Sequence, residues 1–283
     1  MHPSHLKIES VTLKENIKQA WQDIMGPAIC SHLTAPQVQQ LTQRCQLSYT
    51  ELAQHLLPIA AQYAVTPISQ FKVGAIVIDE HHQFFMGANY ERTQVPLNHT
   101  LHAEQATLFN AISHGAGKLQ HLIVSAAPCG HCRQFIKEFS ESSELTIQIN
   151  AQQFDFEQLL PFAFGPDDLH VSASITSHTQ SMSQTPEQLA HYSYAPYSGC
   201  LIGLKALQAG TPLAVSWYIE NAAFNPSASP ITLLLSQLQL HGYTLAQIDT
   251  IQIATNQSAI SFKNELDSMK EHHPQIAFEM KQF

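Results

Sequence analysis

Four side chains that could bind and use a metal ion lie in two short segments of the chain. The first segment reads His-Ala-Glu and contains His102 and Glu104, and the second reads Pro-Cys-Gly-His-Cys and contains Cys129 and Cys132. Imidazole nitrogen and thiolate sulfur are ligands that zinc prefers. A structural zinc site takes four protein ligands, whereas a catalytic site takes three and leaves one position for water. One histidine and two cysteines make three ligands, which favours a catalytic zinc site.

Two alternatives to a catalytic zinc remain open at this point. The two thiols could form a redox pair, because a Cys-x-x-Cys spacing also occurs in disulfide-exchange proteins. A structural zinc would need a fourth ligand, and folding could bring Cys30, Cys45 or Cys200 close enough to provide it. His131 lies between the two thiols, and a helical turn would direct it away from them.

The two segments are predicted to start helices. Pro128 suits the first turn of a helix, so Cys129 and Cys132 would lie at its positive end and face the same way. A helix N-terminus lowers the pKa of cysteine thiols and favours anions. Glu104 follows His102 by two positions and could project into the same cavity without binding the metal, as a proton shuttle must. The alternative for Glu104 is a favourable charge at a helix N-terminus.

The elements around these segments predict a layered α/β domain. A helix is expected from Ser48 or Thr50 onward, followed by a strand, a turn and a returning strand. Another helix, a strand and a final helix come next, and this order predicts a three-layer α/β/α arrangement. The predicted elements are the strands FKVGAIVIDE, FFMGANYE and HLIVSAA, and helices from about His102 to His114 and from Pro128 onward.

Composition limits the class of protein. The chain has 283 residues with 44% hydrophobic residues, no long apolar run and no apolar segment of a secretory signal near its start. A protein outside the membrane is therefore expected. Five unevenly spaced cysteines do not suggest a disulfide framework, so a reducing cytoplasm is expected. The formal charge of −9 shows no basic footprint, which argues against a nucleic-acid partner.

The chain divides into four predicted parts. Residues 1–47 carry two amphipathic patterns and are predicted to form an N-terminal helical arm. Residues 48–171 form the predicted catalytic domain. Residues 172–186 are rich in Ser, Thr and Gln and are predicted to be a linker. Residues 187–283 form a predicted second domain.

The second domain repeats part of the first. Short segments, TPISQFKVGA and APYSGCLIGL, share a proline, a serine and a glycine at the same intervals, which suggests an internal duplication. The same interval along the chain aligns Pro67 with Pro196, Ser69 with Ser198, Gly74 with Gly203 and Glu91 with Glu220.

The second copy lacks the candidate metal ligands. In this later part of the alignment the second copy is shorter by two residues. The positions that then correspond to His102, Glu104, Cys129 and Cys132 are Ser229, Ile231, Asn256 and Ala259. These four side chains could not form a zinc site of the first kind. The second domain is therefore predicted to be a degenerate structural partner without a catalytic site.

The motifs together resemble those of a known family. His-Ala-Glu followed by Pro-Cys-Gly-His-Cys resembles the signature of zinc-dependent nucleobase deaminases. FKVGA, GANYE, HAEQA and PCGHCRQF occur in the order found in cytidine deaminases, and the duplicated length with histidine as first ligand is similar to the homodimeric bacterial type. The resemblance implies a duplicated three-layer α/β/α cytidine-deaminase-like fold with an N-terminal helical arm, a free nucleoside substrate and a homodimer.

The resemblance also implies the roles of the metal site. His102, Cys129 and Cys132 match the ligands of one zinc ion per chain, and Glu104 matches the catalytic acid and base. The implied reaction converts cytidine and 2′-deoxycytidine to uridine and 2′-deoxyuridine with release of ammonia, through attack of water at C4 of the ring. Such an enzyme serves pyrimidine salvage.

Five further residues match substrate-binding positions of the family. Asn89 and Glu91 match residues that bind the ribose 3′-hydroxyl, and Phe71 matches an aromatic residue that packs on the pyrimidine. Ala103 would offer a backbone group to the base, and Phe164 resembles an aromatic residue that reaches a neighbouring subunit's site. Without the resemblance, Phe71 would be a core residue, and Asn89 and Glu91 would form a solvated strand face.

Two competing functions remain to be weighed. A deaminase of the same chemistry could act on another base or on RNA, although the acidic balance argues against a polynucleotide. A zinc-stabilised module without catalytic activity is the other alternative, and a fourth protein ligand at the metal would support it.

Overall fold

The computed structural model describes residues 6–93, 95–140, 142–150, 152–256, 258 and 260–283. The N-terminal arm contains α1 (Glu15–Met25), β1 (His32–Leu33) and α2 (Ala35–Cys45). Both helices were expected, but β1 was not, and it pairs antiparallel with a strand of the catalytic domain. Ala259, the predicted counterpart of Cys132, lies outside the described residues.

The first domain contains a sheet of six strands with helices on both faces. The strands are β1 with β2 (Gly74–Asp79), β3 (Phe84–Ala88), β4 (Leu119–Val124), β5 (Thr146–Ile149) and β6 (Gln152–Asp155). Their order is β1-β3-β2-β4-β5-β6, with β4 and β5 parallel and the other pairs antiparallel. The helices are α3 (Tyr49–Ala60), α4 (Ala103–Ser113), α5 (Gly130–Lys137) and α6 (Phe156–Leu159).

Strand β2 shows why this sheet has two covered faces. All six of its residues are buried, and successive side chains of a strand point to opposite faces. Ile76 and Ile78 pack in the core that contains Leu56 of α3. Val77 packs in the other core, with Phe109 of α4. The predicted three-layer α/β/α arrangement is confirmed.

The second domain repeats the layout with a smaller sheet. Its elements are α7 (Pro186–Ala190), β7 (Ile202–Gln208), β8 (Thr211–Trp217), α8 (Pro230–Leu240), β9 (Thr250–Thr255), α9 (Lys263–His272) and β10 (Ala277–Gln282). The strand order is β10-β9-β7-β8. The two domains share one core, in which the rings of Phe109 and Trp217 lie 4.9 Å apart.

Short 3-10 helices connect several of these elements. They span Ile8–Ser10, Ala61–Tyr63, Leu97–His99, Ser142–Glu144, Pro166–Leu169 and Leu245–Gln247. The segment predicted as a linker, residues 172–186, forms a single β-bridge, from Thr179 to His114, before it enters α7. In the described parts of the chain, every helix is too short or too polar to cross a membrane.

The duplication extends to individual contacts. Glu91 accepts hydrogen bonds from the backbone N–H of Ser69, at 3.0 Å, and from the Ser69 hydroxyl. Glu220 accepts the same two hydrogen bonds from Ser198, one from its backbone N–H at 3.1 Å and one from its hydroxyl. We call this pair of contacts the serine–glutamate clamp. It exists in both domains, so it does not depend on a catalytic site.

Helix α4, which carries Glu104, packs directly on the backbone of β3 at Gly87. A Cβ atom at this glycine would lie 2.2 Å from the backbone nitrogen of Thr107. We therefore expect Gly87→Ala to destabilise the fold by about 1–3 kcal/mol, because backbone atoms of α4 would have to move. Urea denaturation measures this change. Gly130→Ala is the matched control, since a Cβ there meets nothing within 4 Å, and an equal loss in both variants would contradict the packing argument.

Candidate active site

The three candidate metal ligands meet at the starts of two helices. His102 is the N-cap residue of α4, Cys129 is the N-cap residue of α5, and Cys132 lies in the first turn of α5. The His102 Nδ1 atom is 3.4 Å from the Cys129 sulfur and 3.3 Å from the Cys132 sulfur. The two sulfur atoms are 3.6 Å apart. The structure thus brings together residues that are up to thirty positions apart in the chain.

These distances fit a tetrahedral zinc site. Typical Zn–N and Zn–S bonds would separate tetrahedral nitrogen and sulfur ligands by roughly 3.5–3.8 Å. Among the described residues, the group of metal-binding atoms at this point consists of His102, Cys129 and Cys132. Cys30 and Cys200 pack in two other cores, away from this group. The residues fit a zinc ion with three protein ligands, as a catalytic site requires.

The contact between the two thiols shifts their pKa values in opposite directions when no metal is bound. Cys132 and the His102 ring contact the Cys129 sulfur and lower the pKa of Cys129 to about 3. The contact with Cys129 and burial raise the pKa of Cys132 well above its usual range. A zinc ion would displace the remaining proton, because the thiolate is the form that binds metal.

Glu104 lies beside the ligands and outside the ligand group. Its side chain is buried, with 4% of the residue exposed, and this burial raises the pKa of Glu104. The Cys132 side chain is one of its hydrogen-bonding neighbours. A carboxyl group with a raised pKa in a cavity can accept a proton and return it at neutral pH.

One cavity of about 290 Å³ is lined by two of the candidate metal ligands and by most of the predicted substrate-binding residues. Its walls include His102, Cys129 and Glu104, together with Phe71, Asn89, Glu91 and Ala103. Phe164 does not line this cavity within one chain. It is 45% exposed, and its carbonyl oxygen accepts a hydrogen bond from Gln134.

Asn89 and Glu91 are buried and already bind the protein. Strand β3 ends at Ala88, so both residues lie after the strand. The sequence had predicted that they lie within it. The Asn89 amide accepts from the N–H of Val73 and donates to the carbonyl of Phe71, both at 2.9 Å. These side-chain bonds replace strand pairing, which explains why β2 begins at Gly74 and not at Phe71 as predicted.

Burial alone would raise the pKa of Glu91, but hydrogen bonds from Ser69 and Ile68 hold it below its usual range. Glu91 is therefore an anionic acceptor at the cavity wall. Phe71 is 61% exposed at the same cavity, and its N–H donates to the Ser69 hydroxyl at 3.0 Å. Sequence reasoning did not assign a role to Ser69, although its repetition as Ser198 was visible.

The counterparts in the second domain make structural contacts. Ser229, at the position of His102, donates a hydrogen bond to Glu265 at 3.0 Å. Asn256, at the position of Cys129, accepts from the N–H of Leu201 and donates to the carbonyl of Gly199. Ile231, at the position of Glu104, is a core residue. These three described side chains form no metal site.

Comparisons with known proteins agree with this geometry. Two models of the cytidine and deoxycytidylate deaminase zinc-binding region match the chain, at residues 48–147 and 156–265. A cytidine deaminase of Shewanella amazonensis is 38% identical over 249 residues, which cover 84% of each chain. One of Actinobacillus pleuropneumoniae is 35% identical over 280 residues, covering 92% of this chain and 94% of the relative.

A solved structure of cytidine deaminase from Mycobacterium tuberculosis is 32% identical, covers 41% of this chain and 97% of that chain, and has a TM-score of 0.38. The two family-model matches fall on the two copies of the duplication, and the first contains all three candidate zinc ligands. The long relatives match both copies together. The chain belongs to the cytidine deaminase family.

Proposed function

We propose that this chain catalyses the hydrolytic deamination of cytidine and 2′-deoxycytidine to uridine and 2′-deoxyuridine, with release of ammonia, as an enzyme of pyrimidine salvage. The observation that carries the proposal is the buried Glu104 beside three side chains that could hold a zinc ion, in a cavity lined by most of the predicted substrate-binding residues. A structural zinc site has no use for such a carboxyl group.

The chain's own residues supply the proton transfers. When bound, zinc activates a water molecule for attack on C4 of the pyrimidine ring. Glu104 accepts a proton from that water and delivers it to N3 of the ring. Glu104 then carries the second proton of that water to the amino group, which leaves as ammonia when its bond to C4 breaks, so that one water is consumed for each ammonia released. A burial-raised pKa suits Glu104 to both directions of transfer.

The sugar is proposed to be held at its 3′-hydroxyl. Asn89 Nδ2 carries two hydrogens and uses one for Phe71, and the Glu91 carboxylate keeps free acceptor positions. Both can therefore bind a hydroxyl in addition to their protein partners. Cytidine and 2′-deoxycytidine share the 3′-hydroxyl, which supports the proposal that both are substrates. The exposed Phe71 ring would pack on the base.

We expect 2′,3′-dideoxycytidine to be a poor substrate, because it lacks the hydroxyl that Asn89 and Glu91 would bind. Its kcat/KM should be lower than that of 2′-deoxycytidine by about 10²–10³. An enzyme can reject a substrate that lacks a hydroxyl more strongly when its own polar groups are then left without any partner. Here Asn89 and Glu91 keep their hydrogen bonds to the protein, so a smaller reduction is expected. Parallel absorbance assays measure the ratio, and turnover within tenfold of 2′-deoxycytidine would contradict the assignment.

The proposed assembly is a homodimer in the cytoplasm. Phe71, Phe162 and Phe164 are exposed aromatic side chains on the catalytic domain, and burial against a second chain would remove them from water. In this assembly Phe164 would reach the neighbouring subunit's cavity. The acidic composition supports a free nucleoside over a nucleic acid as the partner. Sedimentation analysis distinguishes a monomer from a dimer.

The first experiment follows the ultraviolet absorbance of cytidine with purified protein and measures zinc in the same sample. Loss of the cytidine band with about one zinc per chain would support the proposal. Full zinc without turnover of cytidine or 2′-deoxycytidine would contradict it and favour another base or a structural metal. Binding to single-stranded RNA in a gel-shift assay would favour the polynucleotide alternative.

A further inference from the structure

A buried ion pair connects the two domains next to the cavity. Arg92 directly follows Glu91, and its guanidinium contacts the carboxylate of Glu265 in α9 of the second domain. The two side chains are only 6% and 9% exposed. Burying two charges is costly unless each is well partnered, so such a pair holds its neighbours in one arrangement.

Glu265 also holds the segment that leads into the metal site. Its other carboxylate oxygen is 3.0 Å from Nδ1 of His99, which ends the 3-10 helix just before His102. Thr232 of α8 donates a hydrogen bond to the His99 carbonyl at 3.2 Å and accepts one from Arg92 at 3.3 Å. The second domain therefore contacts two of the segments that carry cavity residues, the one with Asn89 and Glu91 and the one that leads into His102.

The contact has a counterpart at the other domain. In the alignment of the two copies that pairs Cys129 with Asn256, Glu138 is paired with Glu265. Glu138, at the end of α5, accepts hydrogen bonds from the hydroxyls of Tyr194 and Tyr197 in the second domain. Each domain thus places a buried glutamate against a loop of the other. The Glu265 contact reaches the loop that begins with Asn89 and Glu91 at the wall of the candidate active-site cavity, whereas the described lining of that cavity does not include Tyr194 or Tyr197.

We propose that Arg92 and Glu265 are positioning residues, through which the second domain fixes Asn89 and Glu91 for recognition of the nucleoside's 3′-hydroxyl. This inference rests on the proposed function. Arg92 shares a peptide bond with Glu91, so anchoring the Arg92 side chain in the second domain restrains the backbone that carries the Glu91 carboxylate. Displacements of about 1 Å can change rates by about 10²-fold.

The test measures the ratio of kcat/KM for 2′-deoxycytidine to that for 2′,3′-dideoxycytidine. In Glu265→Gln the amide cannot balance the Arg92 charge, and we expect the ratio to fall by about tenfold. The KM for cytidine should rise more than kcat falls, and the zinc content should stay unchanged. The second variant carries both Arg92→Met and Glu265→Met. It removes both buried charges together, so no charge of the pair is left buried without its partner, and the protein should fold. The kcat/KM ratio of this variant should fall as well, because contacts between two methionine side chains do not fix the orientation of the loop as an ion pair does.

Tyr197→Phe is the matched control. It removes a hydroxyl that donates to Glu138 at the corresponding contact of the other domain. We expect a lower Tm and an unchanged ratio of the two kcat/KM values, since Tyr197 does not line the cavity.

Three outcomes would overturn the inference. If the wild-type protein discriminates but both Glu265 variants keep its ratio, the ion pair only joins the domains. An equal fall of the ratio in Tyr197→Phe would assign the effect to general loosening. A wild-type protein that does not discriminate would overturn the 3′-hydroxyl assignment itself, and the positioning role with it.

Discussion

Glu104→Gln is expected to lower kcat for cytidine by at least about 10³-fold while the protein keeps its zinc. The amide has nearly the shape of the carboxyl group, so the buried site is filled without a cavity. It cannot accept a proton from water or deliver one to the ring. General acid–base catalysis contributes about 10²–10⁴, and here one residue would serve several transfers. Absorbance assays and zinc analysis of the same sample measure the two quantities.

The control for this variant is Glu15→Gln. Glu15 lies in the first turn of α1, as Glu104 lies in the first turn of α4, but it is exposed in the N-terminal arm. If Glu104 only provided a favourable charge at a helix start, both variants would cost less than about 1 kcal/mol of stability and neither would affect turnover. Near-normal turnover of Glu104→Gln would therefore exclude the proton-shuttle role.

Cys129→Ser is expected to lose both zinc and activity. The contacts with Cys132 and His102 lower the pKa of Cys129 to about 3, so its sulfur is available to bind a metal ion at neutral pH. A serine hydroxyl stays protonated at neutral pH and is a poor zinc ligand, so two protein ligands would remain. Zinc content after dialysis against a chelator should fall from about one per chain to near zero. The Tm should also fall, since a ligand bound only by the folded state stabilises it.

Cys45→Ser provides the comparison for that experiment. Cys45 ends α2 in the N-terminal arm, and its half-buried thiol lies outside the metal-binding group. This variant should keep zinc and turnover. If Cys129→Ser retained full zinc, a ligand other than the three assigned here would hold the metal, and the three-ligand geometry would be wrong.

Local sequence patterns predicted the elements that carry the site. The sequence predicted helices that start near His102 and near Pro128, and the structure places His102 and Cys129 as N-caps, so Pro128 precedes the helix and does not lie in its first turn. The strand–strand–helix–strand–helix order predicted the layers, since each element must bury its apolar face on the next. The start of β2 and the end of β3 were misplaced, because the Asn89 side chain takes backbone groups that a strand partner would otherwise bind. The predicted strand HLIVSAA was also misplaced, since β4 runs from Leu119 to Val124.

Contacts between distant residues could not be predicted in this way. Arg92 and Glu265 are 173 positions apart, and no local spacing relates them. Strands β1, β5 and β6 are short and lie toward the edges of their sheet, so their sequences carry little periodic signal. Whether Phe164 reaches a cavity depends on a second chain, which one sequence does not describe.

The contacts of Ser229 and Asn256 imply that the loss of the second metal site is hard to reverse. After duplication, a copy that lost its ligands could at first have regained them by single substitutions. Now Ser229 hydrogen-bonds Glu265, and Asn256 joins two backbone segments of its own domain. Restoring histidine and cysteine at these positions would break those contacts before a metal could bind. A zinc site could therefore be engineered into the second copy only with further substitutions that replace these hydrogen bonds.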